Sequence, residues 1–172
     1  MKNTDFVKYI KKAGKTERTK EFEYADGFFV KLAYASRFIW NQVREDGRDI
    51  KPIARGRSGE EQFNEPKLRK AYALRVIQGW RGLTVEKMDA LIPGFFDVAK
   101  TGILEQDQTK TDEEIGETEV EYDEETAFTL VDNSMDFDNW VFDVSRDTEK
   151  FQNVAERKKK EYENLESSQK EV

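Results

Sequence analysis

The residues whose type and spacing could bind a metal lie between Asp132 and Asp143. Oxygen-bearing side chains occupy positions 1, 3, 5, 7 and 12 of this segment, a spacing that resembles a calcium-binding loop. Position 6, however, is Phe137, where such a loop needs glycine for its turn. Phe137 also fits the apolar stripe of a helix that Ser134 could cap. We therefore interpret this segment as a capped helix rather than as a metal site.

The composition excludes most other catalytic chemistry. The chain has no cysteine and no histidine, so disulfides, thiolate nucleophiles, serine–histidine–aspartate catalysis and the common zinc sites are excluded. Gly14-Lys15-Thr16 resembles the end of a phosphate-binding loop, but Tyr9 stands where that loop requires a glycine. No pair of carboxylates stands out among the 36 acidic residues. We expect a protein that is not an enzyme and that has no catalytic residue, metal or cofactor.

Charge is distributed unevenly along the chain, whose formal net charge is −7. Residues 1–80 carry 18 basic and 11 acidic side chains, whereas residues 101–150 carry 3 basic and 17 acidic side chains. This asymmetry indicates either an acidic interaction surface or two parts of one fold that attract each other. Residues 105–119 have few apolar side chains, and we predict that they form a disordered acidic loop.

The remaining pattern predicts mostly helices. Residues 20–34 alternate polar and aromatic side chains around Asp26-Gly27, which favours a β-hairpin. Apolar side chains at helical spacing predict helices over residues 1–12, 37–45, 66–78 and 85–91 and three short helices between residues 123 and 155. Prolines and glycines predict a flexible loop over residues 47–66. No apolar run approaches the roughly 20 residues of a transmembrane helix, and nothing near the N-terminus is typical of a secretory signal.

These elements predict a mainly α protein with a small β-hairpin, an α+β short-helix bundle in one domain over residues 1–156. Residues 157–172 are predicted to form a charged, fraying helical tail. The candidate core consists of apolar residues that recur on one face of each element. They are Phe29, Leu32, Ile39, Trp40, Leu68, Tyr72, Val76, Trp80, Leu91, Leu130, Phe137, Trp140 and Val141.

The order of these segments resembles the tail assembly chaperones of long-tailed bacteriophages and prophages. An extended segment, Val30–Arg37, runs into a helix, and Trp80-Arg81-Gly82-Leu83 follows a second helix. After an acidic loop, Glu119–Ala127 leads into short helices that carry Phe137 and Trp140. The resemblance covers about residues 28–151.

The resemblance implies a small, mostly helical, non-enzymatic protein that acts in the cytoplasm of the bacterial host. Members of this family coat the tape-measure protein, help recruit tail-tube subunits and are absent from the finished virion. In some phages, ribosomal frameshifting near the end of the gene produces a longer form, and such an extension would attach here at residues 157–172. Self-association is left open, and neither a membrane nor a nucleic acid is expected as a partner.

Two alternatives from other classes of protein stay open. An acidic protein could mimic DNA and inhibit a nucleic-acid-binding enzyme, with the carboxylates of residues 101–150 in place of phosphates. A structural tail or head-completion protein would instead remain in the virion. For binding a partner, the residues we predict are Ile39, Val43, Phe95 and Phe96, because they are apolar and lie beside loops where a groove could open.

Overall fold

The structure, a computed structural model, describes residues 18–51 and 60–152. These residues contain five strands and eight helices. The prediction of a mainly α protein of the α+β class with a small β-hairpin is therefore confirmed. The predictions for residues 1–12 and 157–172 lie outside the described residues. No helix within the described ranges is both long and apolar enough to cross a bilayer.

In chain order the elements are β1 (Thr19–Ala25), β2 (Phe28–Ala33), α1 (Arg37–Asp46), β3 (Arg48–Lys51), β4 (Glu60–Phe63), α2 (Glu65–Val76), β5 (Ile77–Arg81), α3 (Val85–Leu91), α4 (Phe95–Gln106), α5 (Asp112–Gly116), α6 (Glu124–Asn133), α7 (Met135–Arg146) and α8 (Thr148–Phe151).

The predicted hairpin forms, and a third strand completes its sheet. β1 and β2 pair in antiparallel fashion around Asp26-Gly27, and β5 pairs antiparallel with the other edge of β2. The prediction that the helix of residues 66–78 includes Ile77 is wrong, because α2 ends at Val76. Gly79 has a φ of 150°, which breaks a helix, and Ile77 and Trp80 are residue types that favour strands. Pairing with the free edge of β2, about 45 residues earlier in the chain, therefore makes residues 77–81 a strand rather than the end of a helix.

Part of the predicted loop over residues 47–66 is ordered into a second, two-stranded sheet. β3 and β4 pair in antiparallel fashion, with Arg48 opposite Phe63 and Lys51 opposite Glu60. α2 then begins at Glu65, within the predicted loop. The glycines and prolines of this segment predicted a flexible loop, but they gave no signal for the pairing of residues 48–51 with residues 60–63. The residues between these strands lie outside the described residues.

The prediction of a disordered loop over residues 105–119 is wrong. α5 lies in this segment and begins with a capping box. The backbone N–H of Glu114 donates to the Thr111 hydroxyl oxygen, and the backbone N–H of Thr111 donates to the Glu114 carboxylate. Ile115 is fully buried, and the backbone N–H of Val85 donates to the carbonyl of Thr118 at 3.0 Å. One buried apolar residue and a local cap are enough to order a segment whose composition is otherwise that of a solvated loop.

The core lies between the three-stranded sheet and the helices α1, α2, α6 and α7. Its centre is aromatic: Phe28 stacks on Phe137 with ring centroids 6.1 Å apart, and Tyr24 meets Phe137 edge-on at 5.2 Å. The predicted core residues that are buried are Leu32, Ile39, Tyr72, Val76, Leu130, Phe137 and Val141, whereas Trp40, Leu68, Trp80, Leu91 and Trp140 are half-buried and pack at its edge.

The core prediction is wrong for Phe29. Successive side chains of a strand point to opposite faces of the sheet, and in β2 it is Phe28 that is fully buried. Phe29 lies on the other face, where the guanidinium carbon of Arg81 is 3.9 Å from its ring centroid. The sequence Phe28-Phe29-Val30 could not show which of the two rings faces the helices, because both neighbours in the pattern are equally apolar.

An ion pair connects the basic and acidic parts of the chain. The guanidinium of Arg69 in α2 lies 3.1 Å from the carboxylate of Asp132 in α6, and their side chains are 38% and 45% exposed. An exposed pair of this kind contributes about 0.2–1 kcal/mol. Burying Ala127, Leu130 and Val131 contributes more, because full burial of one leucine alone stabilises by about 1.5–3 kcal/mol. Apolar packing therefore holds α6 in place more strongly than charge attraction does.

Each of the three short helices before residue 152 begins at a side-chain cap. Asp123 accepts hydrogen bonds from the backbone N–H groups of Glu125 and Thr126, at 2.8 and 2.9 Å. Ser134 caps α7, and Asp147 caps α8. The segment with calcium-like spacing is thus the end of α6 followed by α7, as the capped-helix interpretation predicted. Among the residues described, no group of three or more acidic side chains is arranged to hold a metal.

Removing the cap of α6 is expected to destabilise the protein in a pH-dependent way. Hydrogen bonds from the side chain and backbone of Thr126 lower the pKa of the Asp123 carboxyl group. Because the folded-state pKa is the lower one, this stabilisation is present above the unfolded value of about 3.9 and is lost as the pH falls through the folded value. We expect Asp123→Ala to lower the free energy of unfolding by about 1 kcal/mol at neutral pH, and by less in acid.

Urea unfolding of the wild type and of Asp123→Ala, near neutral pH and near pH 2.5, measures how much the substitution lowers the free energy of unfolding at each pH. Asp123→Asn is the matched control, since asparagine caps about as well as aspartate and does not ionise. An Asp123→Ala effect of the same size at both pH values would contradict the assignment of the stabilisation to the ionised carboxylate.

Candidate interaction surface

α4 is rich in apolar residues, yet none of its residues is fully buried. Val98 exposes 72% of its surface, and the other large apolar side chains of the helix are half-buried. A surface helix of a globular protein normally buries an apolar stripe against the core, and α4 leaves its apolar side chains partly open. We name this the α4 surface and define it by Phe95, Phe96, Val98, Ile103 and Leu104.

The first turn of α4 is held by the preceding helix. The Asp89 carboxylate accepts hydrogen bonds from the backbone N–H of Gly94 at 3.0 Å and of Phe96 at 2.8 Å. Gly94 has a φ of 92°, a conformation that glycine adopts without the steric penalty of a side chain. Asp89 therefore satisfies N–H groups that a helix start leaves unpaired, and α4 starts at a defined angle to α3.

α5 supports the other side of α4. The Lys100 ammonium lies 2.6 Å from the Asp112 carboxylate. A Cβ atom placed on Gly116 would lie 3.8 Å from Cε2 of Phe96, so the Phe96 ring packs beside the α5 backbone, and Phe95 packs against the edge of the core. The inner part of the α4 surface is therefore anchored, while Val98 points away from these contacts.

The structure separates the four residues predicted to bind a partner. Ile39 and Val43 are 2% and 0% exposed and belong to the core cluster, so the prediction that they contact a partner is wrong for the folded protein. Helix α1 turns this pair inward because its apolar stripe packs against α2 and belongs to the core cluster. Phe95 and Phe96 lie together on the α4 surface, and their role in binding stays a prediction.

Val98, Ile103 and Leu104 also belong to this surface, although they were not among the residues predicted to bind a partner. The loop predicted from residue 105 obscured the helix that carries them. The missed signal is the spacing of Phe96, Ala99, Ile103 and Leu104, which is helical. The spacing of apolar residues, however, cannot show whether the rest of the protein packs over the apolar face of such a helix.

Carboxylates border the α4 surface. Residues 105–119 contain seven acidic side chains and one basic side chain. Hydrogen bonds from Thr111 lower the pKa of Glu114, and hydrogen bonds from Thr109 lower the pKa of Asp107. Both groups are therefore ionised at neutral pH. An apolar helix with an acidic border can bind a partner that is apolar at its centre and basic at its edges.

The described residues thus define a mainly helical α+β protein whose candidate site is a partly uncovered apolar helix bordered by carboxylates. Comparison of the chain with models of protein families, with curated proteins and with solved structures finds no match. The partner is accordingly inferred from the chemistry of the α4 surface and from the segments that carry the resemblance to phage proteins.

Proposed function

We propose that this protein is a non-enzymatic assembly chaperone that binds an amphipathic helix through the α4 surface. The observation that carries the proposal is the exposure of Val98, 72% on a helix that has no buried residue. Covering Val98 alone would contribute about 1–2 kcal/mol, since full burial of a valine contributes about 1.5–3 kcal/mol. A partner helix that also covers the exposed parts of Phe95 and Phe96 would bury further apolar surface, as recognition of an amphipathic helix requires.

The proposed partner is the tape-measure protein of a long-tailed bacteriophage, bound in the cytoplasm of the host while the tail is assembled, with tail-tube subunits recruited to the complex. The segments that resemble tail assembly chaperones support this proposal, because they are adjacent in the fold. The Trp80 indole N–H donates to the carbonyl of Val120 at 2.7 Å. The backbone N–H of Val120 donates to the carbonyl of Leu83 at 2.8 Å. Long tape-measure helices offer the repeated apolar positions that one face of α4 requires.

Co-expression with a candidate phage tape-measure protein tests the proposal. We expect the partner to become more soluble and to elute together with this protein. Val98→Asp should weaken the complex at least tenfold, a loss of about 1.4 kcal/mol, because a carboxylate would have to be buried beside the acidic border. Its matched control is Met135→Asp, which places the same charge at an apolar residue that is 79% exposed on α7.

Equal complex formation by the Val98→Asp and Met135→Asp variants would exclude the α4 surface as the binding site. Failure of the wild type to bind or solubilise the tape-measure protein would exclude the chaperone function itself. Because both substitutions are at exposed positions, both variants should keep the melting temperature of the wild type within a few degrees.

The two alternative functions give different results. Binding through the α4 surface buries apolar area and should show a negative heat-capacity change with a modest dependence on salt. A DNA mimic would bind a basic target with an affinity that falls steeply between low and about 0.5 M salt. A structural tail or head-completion protein would be found in purified virions, where a chaperone is absent.

A further inference from the structure

A polar cleft of about 580 Å³ lies where the start of α1 meets the end of α7. This volume is within the range of about 300–1,000 Å³ that is typical of small-ligand sites. Three of its seven lining residues are arginines and none is acidic. The lining residues are Tyr34, Ala35, Arg37, Trp40, Asn41, Arg44 and Arg146.

Two elements bring the arginines together. Arg37 and Arg44 are seven residues apart in α1 and therefore lie on one face of that helix, two turns apart. The backbone N–H of Ala35 donates to the carbonyl of Ser145 at 2.8 Å, which joins the segment before α1 to the end of α7. Arg146 thereby reaches the cleft, and its guanidinium carbon lies 4.5 Å from the ring centroid of Phe142.

Within the described residues these three arginines have no carboxylate partner. Arg69, Arg75 and Arg81, by contrast, each pair with a carboxylate at 2.8–3.1 Å. Carboxylates are abundant in a chain with 36 acidic residues, so pairing is readily available. Several like charges beside one cleft repel each other, and a bound anion would relieve that repulsion.

We propose that this cleft binds a nucleotide through its phosphate groups. Arginine presents a planar fork of donors, and a tetrahedral phosphate offers oxygens in the several directions from which two helices approach. Trp40 and Tyr34 in the lining offer aromatic surface for the base. A long nucleic acid is a less suitable ligand, because the net charge of −7 repels an extended polyanion. This inference is independent of the α4 surface.

Calorimetric titration of the full chain with ADP tests the proposal. We expect saturable binding of one ADP, and we expect Arg37→Ala, Arg44→Ala and Arg146→Ala each to weaken it at least tenfold. Arg37→Lys should recover part of the loss, because lysine keeps the charge without the fork. Arg81→Ala is the matched control: Arg81 is an exposed arginine of the sheet that pairs with Glu21, and its removal should leave ADP binding unchanged.

Four further ligands make the result specific. Adenosine, which has no phosphate, should not bind detectably, and pyrophosphate should bind more weakly than ADP because it lacks the base. Equal binding of adenosine and ADP, or ADP binding that the cleft variants leave unchanged, would overturn the proposal. A thymidine oligonucleotide or a polyglutamate peptide that binds the cleft more tightly than ADP would overturn it too, in favour of a nucleic-acid or protein surface. Absence of saturable ADP binding up to about 1 mM, a very weak affinity, would also overturn it.

Discussion

Replacing Gly82 with alanine is expected to lower the free energy of unfolding by about 2–5 kcal/mol. Gly82 has a φ of 70°, and a Cβ atom there would lie 2.0 Å from the carbonyl oxygen of Gly27. The left-handed conformation alone costs a non-glycine residue about 1–2 kcal/mol. The contact adds to this, because relieving it means moving the turn between β1 and β2 away from the end of β5. Domains of this size are stable by only about 5–15 kcal/mol.

Two other glycines separate the causes of this effect. Gly94 has a φ of 92° and no atom within 4 Å of a Cβ position, so Gly94→Ala should show only the conformational cost of about 1–2 kcal/mol. Gly102 lies inside α4 with the same open space and no positive φ, so Gly102→Ala should stabilise by about 0.5–1 kcal/mol. Urea unfolding of the three variants measures all three terms. If Gly82→Ala is no more destabilising than Gly94→Ala, the close approach of Gly82 and Gly27 does not exist in solution.

The second large effect is expected for Trp80→Ala, which should lower the free energy of unfolding by about 3 kcal/mol, the lower end of the range for tryptophan, since Trp80 is half-buried. The indole meets the Tyr122 ring edge-on with centroids 4.9 Å apart, and its N–H donates to the carbonyl of Val120 at 2.7 Å. Tyr122 in turn donates from its hydroxyl group to the carbonyl of Ile77 at 2.8 Å. The pair therefore fastens β5 to the segment that precedes α6.

Trp80→Phe keeps an aromatic ring but removes the N–H donor and part of the indole's volume. We expect it to cost more than about 1 kcal/mol, the net value of one hydrogen bond, and less than Trp80→Ala. Tyr122→Phe tests the second bond of the pair in the same way. Thermal unfolding of the three variants distinguishes packing from hydrogen bonding. A Trp80→Ala variant that melts within a degree or two of the wild type would show that Trp80 contributes to a surface and not to stability.

The sequence by itself determined the elements whose signals are local. A helix start needs a side-chain acceptor within a few residues, so Asp123, Ser134 and Asp147 were readable as the caps of α6, α7 and α8. The β1–β2 turn was readable for the same reason, since Asp26-Gly27 lies between two strand-like runs. Composition likewise determined that chemistry requiring cysteine or histidine is excluded.

The tertiary structure alone decided which side chains are covered. Ile39 and Val98 are both apolar residues on helices, yet one is 2% and the other 72% exposed, because α1 packs against α2 in the core whereas Val98 of α4 faces away from its supports. Pairing with β2 decided that Ile77 lies in a strand. Contacts with residues distant in the chain, such as the bond between Val85 and Thr118, also decided that the segment around α5 is ordered. The arginine cleft depends on tertiary structure in the same way, since Arg37 and Arg146 line one cleft although they are about 110 residues apart in the chain. Spacing along a chain shows which residues share a face, but only packing determines what that face meets.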